Sequence, residues 1–344
     1  MKALYLESKG NLSIRDYAEE KTLGDDDVEI AIKRVGICGS DVHYYTHGRI
    51  GSYIVDQPMV LGHEAAGVVT RVGRSVIDLK VGDRVCMEPG IPDFKSKATL
   101  RGFYNLDPRL TFWATPPIHG CLRESVIHPA SLTFKLPESV SLEEGAMIEP
   151  LAIGMQVAMK ASFKPGDVAL VFGAGTIGIM CAISAMAGGC SKVIITDIVD
   201  KKLEVARKFD GLIPVNSATT NLQDFVAEQT RGWGADVVIE ASGSDKLYPG
   251  IINYCCLAGR IVIAGIPGGP VPIDVSEILK KEVNIVAINR YCNVYERAID
   301  LVASGKINIK QLIGRTFPFS KSVAAYQYVE KGGSGEVKVQ IAFD

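Results

Sequence analysis

No charge of one sign dominates this chain: 37 lysines and arginines face 39 aspartates and glutamates, for a formal net charge of −2. Nucleic acid and anionic membranes are therefore not expected partners, since both reward a strongly basic surface. Low-complexity tracts and charged tails are missing as well. The opening stretch MKALYLESKG holds an apolar run of only four residues. That is too short for the apolar core of a secretory signal, so a cytoplasmic setting is expected. No two of the eight cysteines have the short local spacing of a zinc finger. They lie scattered, mostly inside apolar stretches such as GIMCAISAM, and read as buried thiols in a reducing compartment rather than disulfides. One uncharged run, residues 168–191, is long enough for a membrane span. Glycines at 173, 175, 178, 188 and 189 break it into a short strand, a turn and a helix, and a membrane-embedded protein is not expected.

What is present is glycine, 35 residues of it in a chain of 344. Such a length allows about two domains of roughly 150 residues, and so much glycine implies many tight turns and close backbone approaches. Residues 1–150 read as β-rich, with short β-branched runs between turn glycines, as in DDVEIAIKRVGIC, AAGVVTRVG and GDRVCMEPG. Helical spacing appears in 149–162, and FKPGD at 163–167 marks a boundary turn. Beyond it, apolar strand candidates at 168–173, 192–197, 235–242, 259–266 and 283–288 alternate with helical segments such as 200–209 and 220–230. Continuous apolar strands separated by helices predict an α/β fold with a parallel sheet covered on both faces. The last ~55 residues do not continue this repeat, and periodicity alone leaves open whether they return to the first domain.

VFGAGTIG places Gly173, Gly175 and Gly178 in G-x-G-x-x-G spacing, directly after a strand and at the start of a helix. In that context the first glycine permits the turn, the second lets a pyrophosphate approach the backbone, and the third lets helix pack on strand. Asp197, ending KVIITD, is the acid expected about 20 residues on. A carboxylate there accepts from a free ribose 2′-hydroxyl and repels a 2′-phosphate, while Ile198 and Val199 offer such a phosphate no cation. NAD is thus expected over NADP. Asp200 is a candidate cap for the next helix.

MVLGHEAAGVV sets His63 and Glu64 in an otherwise apolar run, and GICGSDVHYY places Cys38 at a strand end before Ser40, Asp41 and His43. Buried charge is costly unless it is paired or taken up by a metal. Cys38, His63 and a nearby carboxylate would make a three-ligand site of mixed S/N/O donors, the pattern that leaves a zinc ion one open position. A buried thiol and a hydrogen-bonded His–Glu pair are the competing reading of the same residues.

In their order, CGSDVHYYTHGRIG, VLGHEAAGVV, MIEPLAIG and VFGAGTIG resemble the zinc-dependent medium-chain dehydrogenase/reductase family, most closely its polyol (sorbitol and xylitol dehydrogenase) branch, and the resemblance runs along essentially the whole chain. It implies a GroES-like catalytic domain over 1–150, rejoined by 288–344, a Rossmann NAD-binding domain over 151–287, and an active cleft between them. Cys38 and His63 are then zinc ligands, with Glu64 and Glu149 both in the metal shell. Regular strand would point 63 and 64 to opposite faces, so ligation by both needs an irregular backbone.

The resemblance further implies hydride transfer from a secondary hydroxyl of a sugar alcohol such as xylitol or sorbitol to NAD, giving a ketose, and assembly as a homotetramer. Ser40 and His43 would relay the proton to solvent, with Glu149 as a further catalytic residue. Tyr44, Glu149, Arg290 and Tyr291 would contact the polyol. Ile177, Lys202, Ala264, Gly265, Ile266, Asn289 and Arg290 join the glycines and Asp197 toward the cofactor. Asn289 departs from the aromatic residue that many members have there. A second departure lies in PDFKSKATLRGFYNLDP, where four cysteines of a structural zinc site are replaced by Asp93, Ser96, Thr99 and Asp107. Two carboxylates and two hydroxyls are a poor zinc set, so one zinc per subunit is expected. The competing functions are a threonine- or butanediol-type dehydrogenase and a non-catalytic NAD-binding protein.

Overall fold

Val193, Ile194 and Ile195 in succession have no exposed surface, so the strand Lys192–Asp197 is covered on both faces. Each such side chain contributes about 1.5–3 kcal/mol of apolar burial, and a strand so covered belongs inside a parallel sheet. The computed structural model describes residues 1–17, 22–333 and 335–344 and divides into two compact units. One comprises Met1–Glu149, Tyr295–Gly305 and Leu312–Asp344; the other comprises Pro150–Val294 and Lys306–Gln311.

In the second unit six parallel strands lie in the order Leu212–Asn216, Lys192–Asp197, Val168–Phe172, Ala235–Glu240, Cys255–Ile263 and Asn284–Ala287. Numbered along the chain this is 3-2-1-4-5-6, the doubly wound dinucleotide-binding order. The order reverses between Val168–Phe172 and Ala235–Glu240, and the crevice beyond the carboxyl ends of such strands is where ligands bind. The segment containing the long uncharged run is a strand, a turn and the twelve-residue helix Thr176–Ala187. No helix among the described residues is long and apolar enough to cross a membrane.

The first unit is built on a seven-stranded sheet whose central strand, Asp27–Gly36, pairs antiparallel with Glu64–Val72, with Ser125–Pro129 and with the late strand Lys338–Ala342. The C-terminal segment thus closes the sheet that the N-terminal segment opens. Lys338–Ala342 is nearly all buried, with Ile341 packed beside Leu4, Ile30 and Val35 in one apolar cluster. No disulfide is assigned to any of the eight cysteines. Burial pushes the thiols of Cys181 and Cys255 up to about 12, which makes them inert packing groups.

Candidate functional site

Cys38 caps the N-terminus of the helix Gly39–His47, where unpaired backbone N–H groups favour negative charge. Asp41, one turn in, accepts from the Cys38 N–H at 3.4 Å and from the Gly62 N–H at 3.3 Å, tying the helix to the turn that precedes His63. Gly62 is left-handed, φ 88°, and an added Cβ there would strike Leu122 and Val35. Regular strand begins only at Glu64. Strand alternation therefore does not extend across residues 63 and 64, and both side chains turn toward Cys38. Ligand atoms of Cys38, His63 and Glu64 all lie within 4.8 Å of one another.

His63 and Glu64 are buried. The His63 Nδ1 lies 3.5 Å from Asp41 Oδ1, the carboxylate-behind-histidine placement that orients a metal-binding imidazole. Burial opposes protonation of His63, but the charges of Asp41 and Cys38 more than offset it and hold the ring well above the usual imidazole range. The pocket favours positive charge. Its donor set of one sulfur, one imidazole and one carboxylate fits zinc with an open position.

Glu64 has a second buried partner that sequence reasoning did not find. Lys338 Nζ contacts both carboxylate oxygens at 2.7 Å and donates to the Ile37 carbonyl at 3.2 Å. Gly36 lies directly across the sheet from Glu64, and a Cβ on it would occupy the space of Glu64 Oε2. The available signal was a lysine in the apolar strand EVKVQIAF, which needs a buried partner. Glu149, on the helix Ile148–Ala161, is buried but outside the three-residue cluster. Its charge acts on Lys338 and on Glu88. Glu88 was also unforeseen: buried, it accepts from the Tyr104 hydroxyl at 3.1 Å, and burial raises its carboxyl to about 7.

Of the other predicted residues in this unit, Ser40 is half-buried and Tyr44 is buried on the same helix. His43 is exposed, with Nδ1 2.9 Å from the Arg49 carbonyl. The four positions that replace cysteines form a hydrogen-bonded set. Asp107 accepts from the Asp93 N–H, and Ser96 Oγ lies 3.0 Å from Thr99 Oγ1. Burial would raise the Asp107 carboxyl, but the N–H groups of Arg109 and Asp93 and the Ser96 hydroxyl lower it below its usual range.

In the second unit Gly173 is left-handed, φ 96°, closing the turn after Val168–Phe172. A Cβ on Gly178 would collide with the Gly173 carbonyl, whereas one on Gly175 would meet nothing. These are the turn, the close helix packing and the open approach that a pyrophosphate needs, and Gly175 caps the helix that follows. Asp197 Oδ2 accepts from the Ala174 N–H at 2.9 Å and Oδ1 from the Val199 N–H at 3.0 Å, which fixes the carboxylate beside the glycine turn. Lone pairs remain for ribose hydroxyls. Lys202 Nζ is 3.7 Å from Asp197, so a cation stands closer to this site than the immediate sequence neighbours implied. Val199, not Asp200, caps the next helix; Asp200 is its first residue and accepts from Asn216 Nδ2 at 2.8 Å.

Ala264, Gly265 and Ile266 follow the strand Cys255–Ile263, with Ile266 78% exposed. The Ala264 and Gly265 N–H groups donate to the Glu240 carbonyl at 2.8 and 2.9 Å. The Glu240 carboxylate, fully buried, accepts from the Ser242 and Gly243 N–H groups and so shapes the neighbouring turn. Asn289 is exposed, Arg290 half-buried and Tyr291 buried, in the loop after Asn284–Ala287. Arg290 is left-handed at φ 56°, a conformation that costs a non-glycine residue about 1–2 kcal/mol. Ile177 lies in the first turn of the helix that Gly175 caps.

Comparison with known proteins adds independent findings. Residues 24–138 match the alcohol dehydrogenase GroES-like domain, and residues 176–304 match the zinc-binding dehydrogenase domain. A D-xylulose reductase of Morganella morganii is 57% identical over 328 residues, covering 95% of this chain and 97% of that protein. A sorbitol dehydrogenase of Arabidopsis thaliana is 39% identical, covering 92% of this chain and 89% of its own length. Among solved structures, an Escherichia coli oxidoreductase/dehydrogenase of unknown specificity superposes with a TM-score of 0.94. It has 32% identity and covers 100% of this chain and 99% of its own.

Proposed function

The chain belongs to the zinc-dependent medium-chain dehydrogenases, in their polyol branch, and from that premise we propose that it interconverts a sugar alcohol and its ketose with NAD. Xylitol and sorbitol define the substrate class. The observation that carries the proposal is the convergence of donor atoms from half-buried Cys38 and buried His63 and Glu64 within 4.8 Å. A bound zinc ion supplies Lewis-acid polarisation of a substrate hydroxyl, and bound NAD supplies the hydride acceptor.

The protein's own residues supply the rest. Cys38, His63 and Glu64 hold the metal, with Asp41 orienting His63 and Lys338 fixing Glu64. Glu149, buried and outside that cluster, serves substrate or water rather than closing the ligand set. Ser40 and His43 carry the hydroxyl proton outward. His43 suits the last step, because its Nδ1–H is directed at the Arg49 carbonyl and its other nitrogen faces solvent as an acceptor. Tyr44, Arg290 and Tyr291 bind further hydroxyls. A site built to pair several hydroxyls leaves polar groups unpaired against a simple alkyl alcohol, which disfavours that substrate strongly.

Gly173, Gly175, Ile177, Gly178, Asp197, Lys202, Ala264, Gly265, Ile266, Asn289 and Arg290 hold the cofactor. Asp197 sets the preference for NAD, because its carboxylate repels a 2′-phosphate. Assembly as a homotetramer in the cytoplasm belongs to the same proposal, and light scattering of the purified protein tests the assembly. NAD reduction should be screened across xylitol, sorbitol, galactitol, ribitol and the arabinitols, before and after chelation. Turnover with at least one polyol, abolished by chelation and restored by zinc, is expected. Full-speed turnover in metal-free enzyme, or none with any polyol in zinc-loaded enzyme, would reject it.

A further inference from the structure

The strand Ala235–Glu240 lies between Val168–Phe172 and Cys255–Ile263, and its last residue, Glu240, pairs in register with the last residue of each neighbour. Glu240 therefore stands where three strand ends open into loops, at the carboxyl edge where such sheets bind ligands. Its side chain is fully buried. Oε1 accepts from the Ser242 N–H at 2.8 Å, the Ser242 hydroxyl at 2.6 Å and the Gly243 N–H at 2.9 Å. Oε2 accepts from the Tyr248 hydroxyl at 3.4 Å. Among the described residues no lysine or arginine pairs with this carboxylate, so these donors offset the cost of burying its charge. The Glu240 carbonyl in turn holds the Ala264 and Gly265 N–H groups at 2.8 and 2.9 Å. The loops so tied also touch one another. A Cβ on Gly265 would strike Glu240 Oε2 and the Gly243 nitrogen, and one on Gly173 would strike the Ser242 Cα. Gly243 is left-handed at φ 69°, and a Cβ there would meet the Ile266 carbonyl.

We propose that Glu240 is a positioning residue for the dinucleotide, holding the Gly173 turn, the Ala241–Gly243 turn and the Ala264–Ile266 loop in one arrangement through its acceptor oxygens rather than its charge. The inference rests on the reading that Gly173, Ala264, Gly265 and Ile266 hold NAD. Glu240 itself acts through the backbone it anchors. Loops fixed before the cofactor arrives lose little freedom on binding, whereas loose ones lose more and bind more weakly. An apolar side chain at 240 leaves the Ser242 and Gly243 N–H groups to turn toward water and frees both turns. Glutamine keeps the pattern: its carbonyl can replace Oε1, and its amide NH2 can donate to the Tyr248 oxygen.

The test titrates zinc-loaded wild type, Glu240→Met and Glu240→Gln with NADH by fluorescence and measures KM for NAD and for a polyol that is turned over. Glu240→Met should weaken NADH binding and raise KM for NAD by at least about tenfold, the worth of one hydrogen bond to a charged group. Its zinc content and its KM for the polyol at saturating NAD should stay close to wild type. Glu240→Gln should recover most of the lost NADH affinity. A role in stability alone would lower the melting temperature without moving the NADH affinity of the folded variant. Where circular dichroism shows that Glu240→Met does not fold, Ser242→Ala takes its place, with NADH binding about threefold weaker expected from the loss of one donor. Unchanged NADH affinity in folded Glu240→Met, or in Ser242→Ala where it stands in, would overturn the role. Glu240→Gln as weak as Glu240→Met would overturn it too, by making the charge decisive. Wild type that binds no NADH would instead reject the cofactor reading beneath it.

Discussion

The ammonium of Lys338 sits 2.7 Å from both carboxylate oxygens of Glu64, a fully buried pair joining residues 274 apart in sequence. Removing one partner of such a pair leaves an uncompensated buried charge and costs about 3–5 kcal/mol. Lys338→Met should therefore lower the unfolding midpoint strongly in chelated enzyme. Zinc-loaded enzyme should lose less, because a metal ligated by Glu64 replaces the missing positive charge. Equal losses in the two forms, measured by urea unfolding, would separate Glu64 from the metal.

Cys38 is the only sulfur in the cluster. Cys38→Ser should lose zinc and turnover together, while NADH still binds to the second unit. Zinc analysis, a polyol assay and NADH fluorescence on the same preparation check all three. A variant that kept both zinc and activity would remove Cys38 from the ligand set.

Asp93, Ser96, Thr99 and Asp107 occupy each other with hydrogen bonds and offer no thiolate. Elemental analysis of the purified enzyme should find one tightly held zinc per chain. Two would show that this lobe binds metal despite its oxygen donors.

Asp197, whose carboxylate lies beside the glycine turn, is the acid proposed to meet the ribose. Asp197→Ala combined with Ile198→Arg should shift the ratio of kcat/KM values toward NADP by at least about tenfold, the worth of one hydrogen bond to a charged group. Lys202, 3.7 Å away, should add to that shift once the carboxylate is gone. An unchanged ratio would place the ribose elsewhere.

Glu88 gives the stability a pH dependence. Burial raises its carboxyl to about 7, so the folded protein keeps a proton that the unfolded chain has released. The associated stability is complete below the ordinary carboxylate range and is lost as pH rises through about 7. Urea unfolding should show this contribution falling by roughly 1 kcal/mol from pH 6 to pH 8. Glu88→Gln should flatten the slope and stabilise the protein at pH 8, since the amide still accepts from Tyr104. A slope unchanged by the substitution would assign the titration to another group.

The parallel-sheet unit was readable because its signals are local. A strand, three glycines, a helix and an acid follow one another within about 25 residues, and the close approach at Gly178 is to Gly173, five residues earlier. Strand ends moved by a few residues, and Cys255–Ile263 begins earlier than its apolar core, because ladder pairing rather than composition sets where a strand starts. The metal cluster was only half legible. Cys38, His63 and two carboxylates stood out as costly residues in apolar runs, but nothing local distinguished Glu64 from Glu149. Asp41, Glu88 and Lys338 had no assigned partners at all.

By itself, the sequence determined which segments become buried parallel strands, where a dinucleotide phosphate can approach, and which lobe lost its thiolates. Each depends on backbone freedom and side-chain chemistry within a short span. Tertiary structure alone decided which acid faces the thiol and which cation neutralises it. Those contacts are made when the strand Lys338–Ala342 joins Asp27–Gly36, which in turn sets Gly36 across from Glu64. Pairing between distant strands carries no local periodicity, so only the folded sheet brings these charges together.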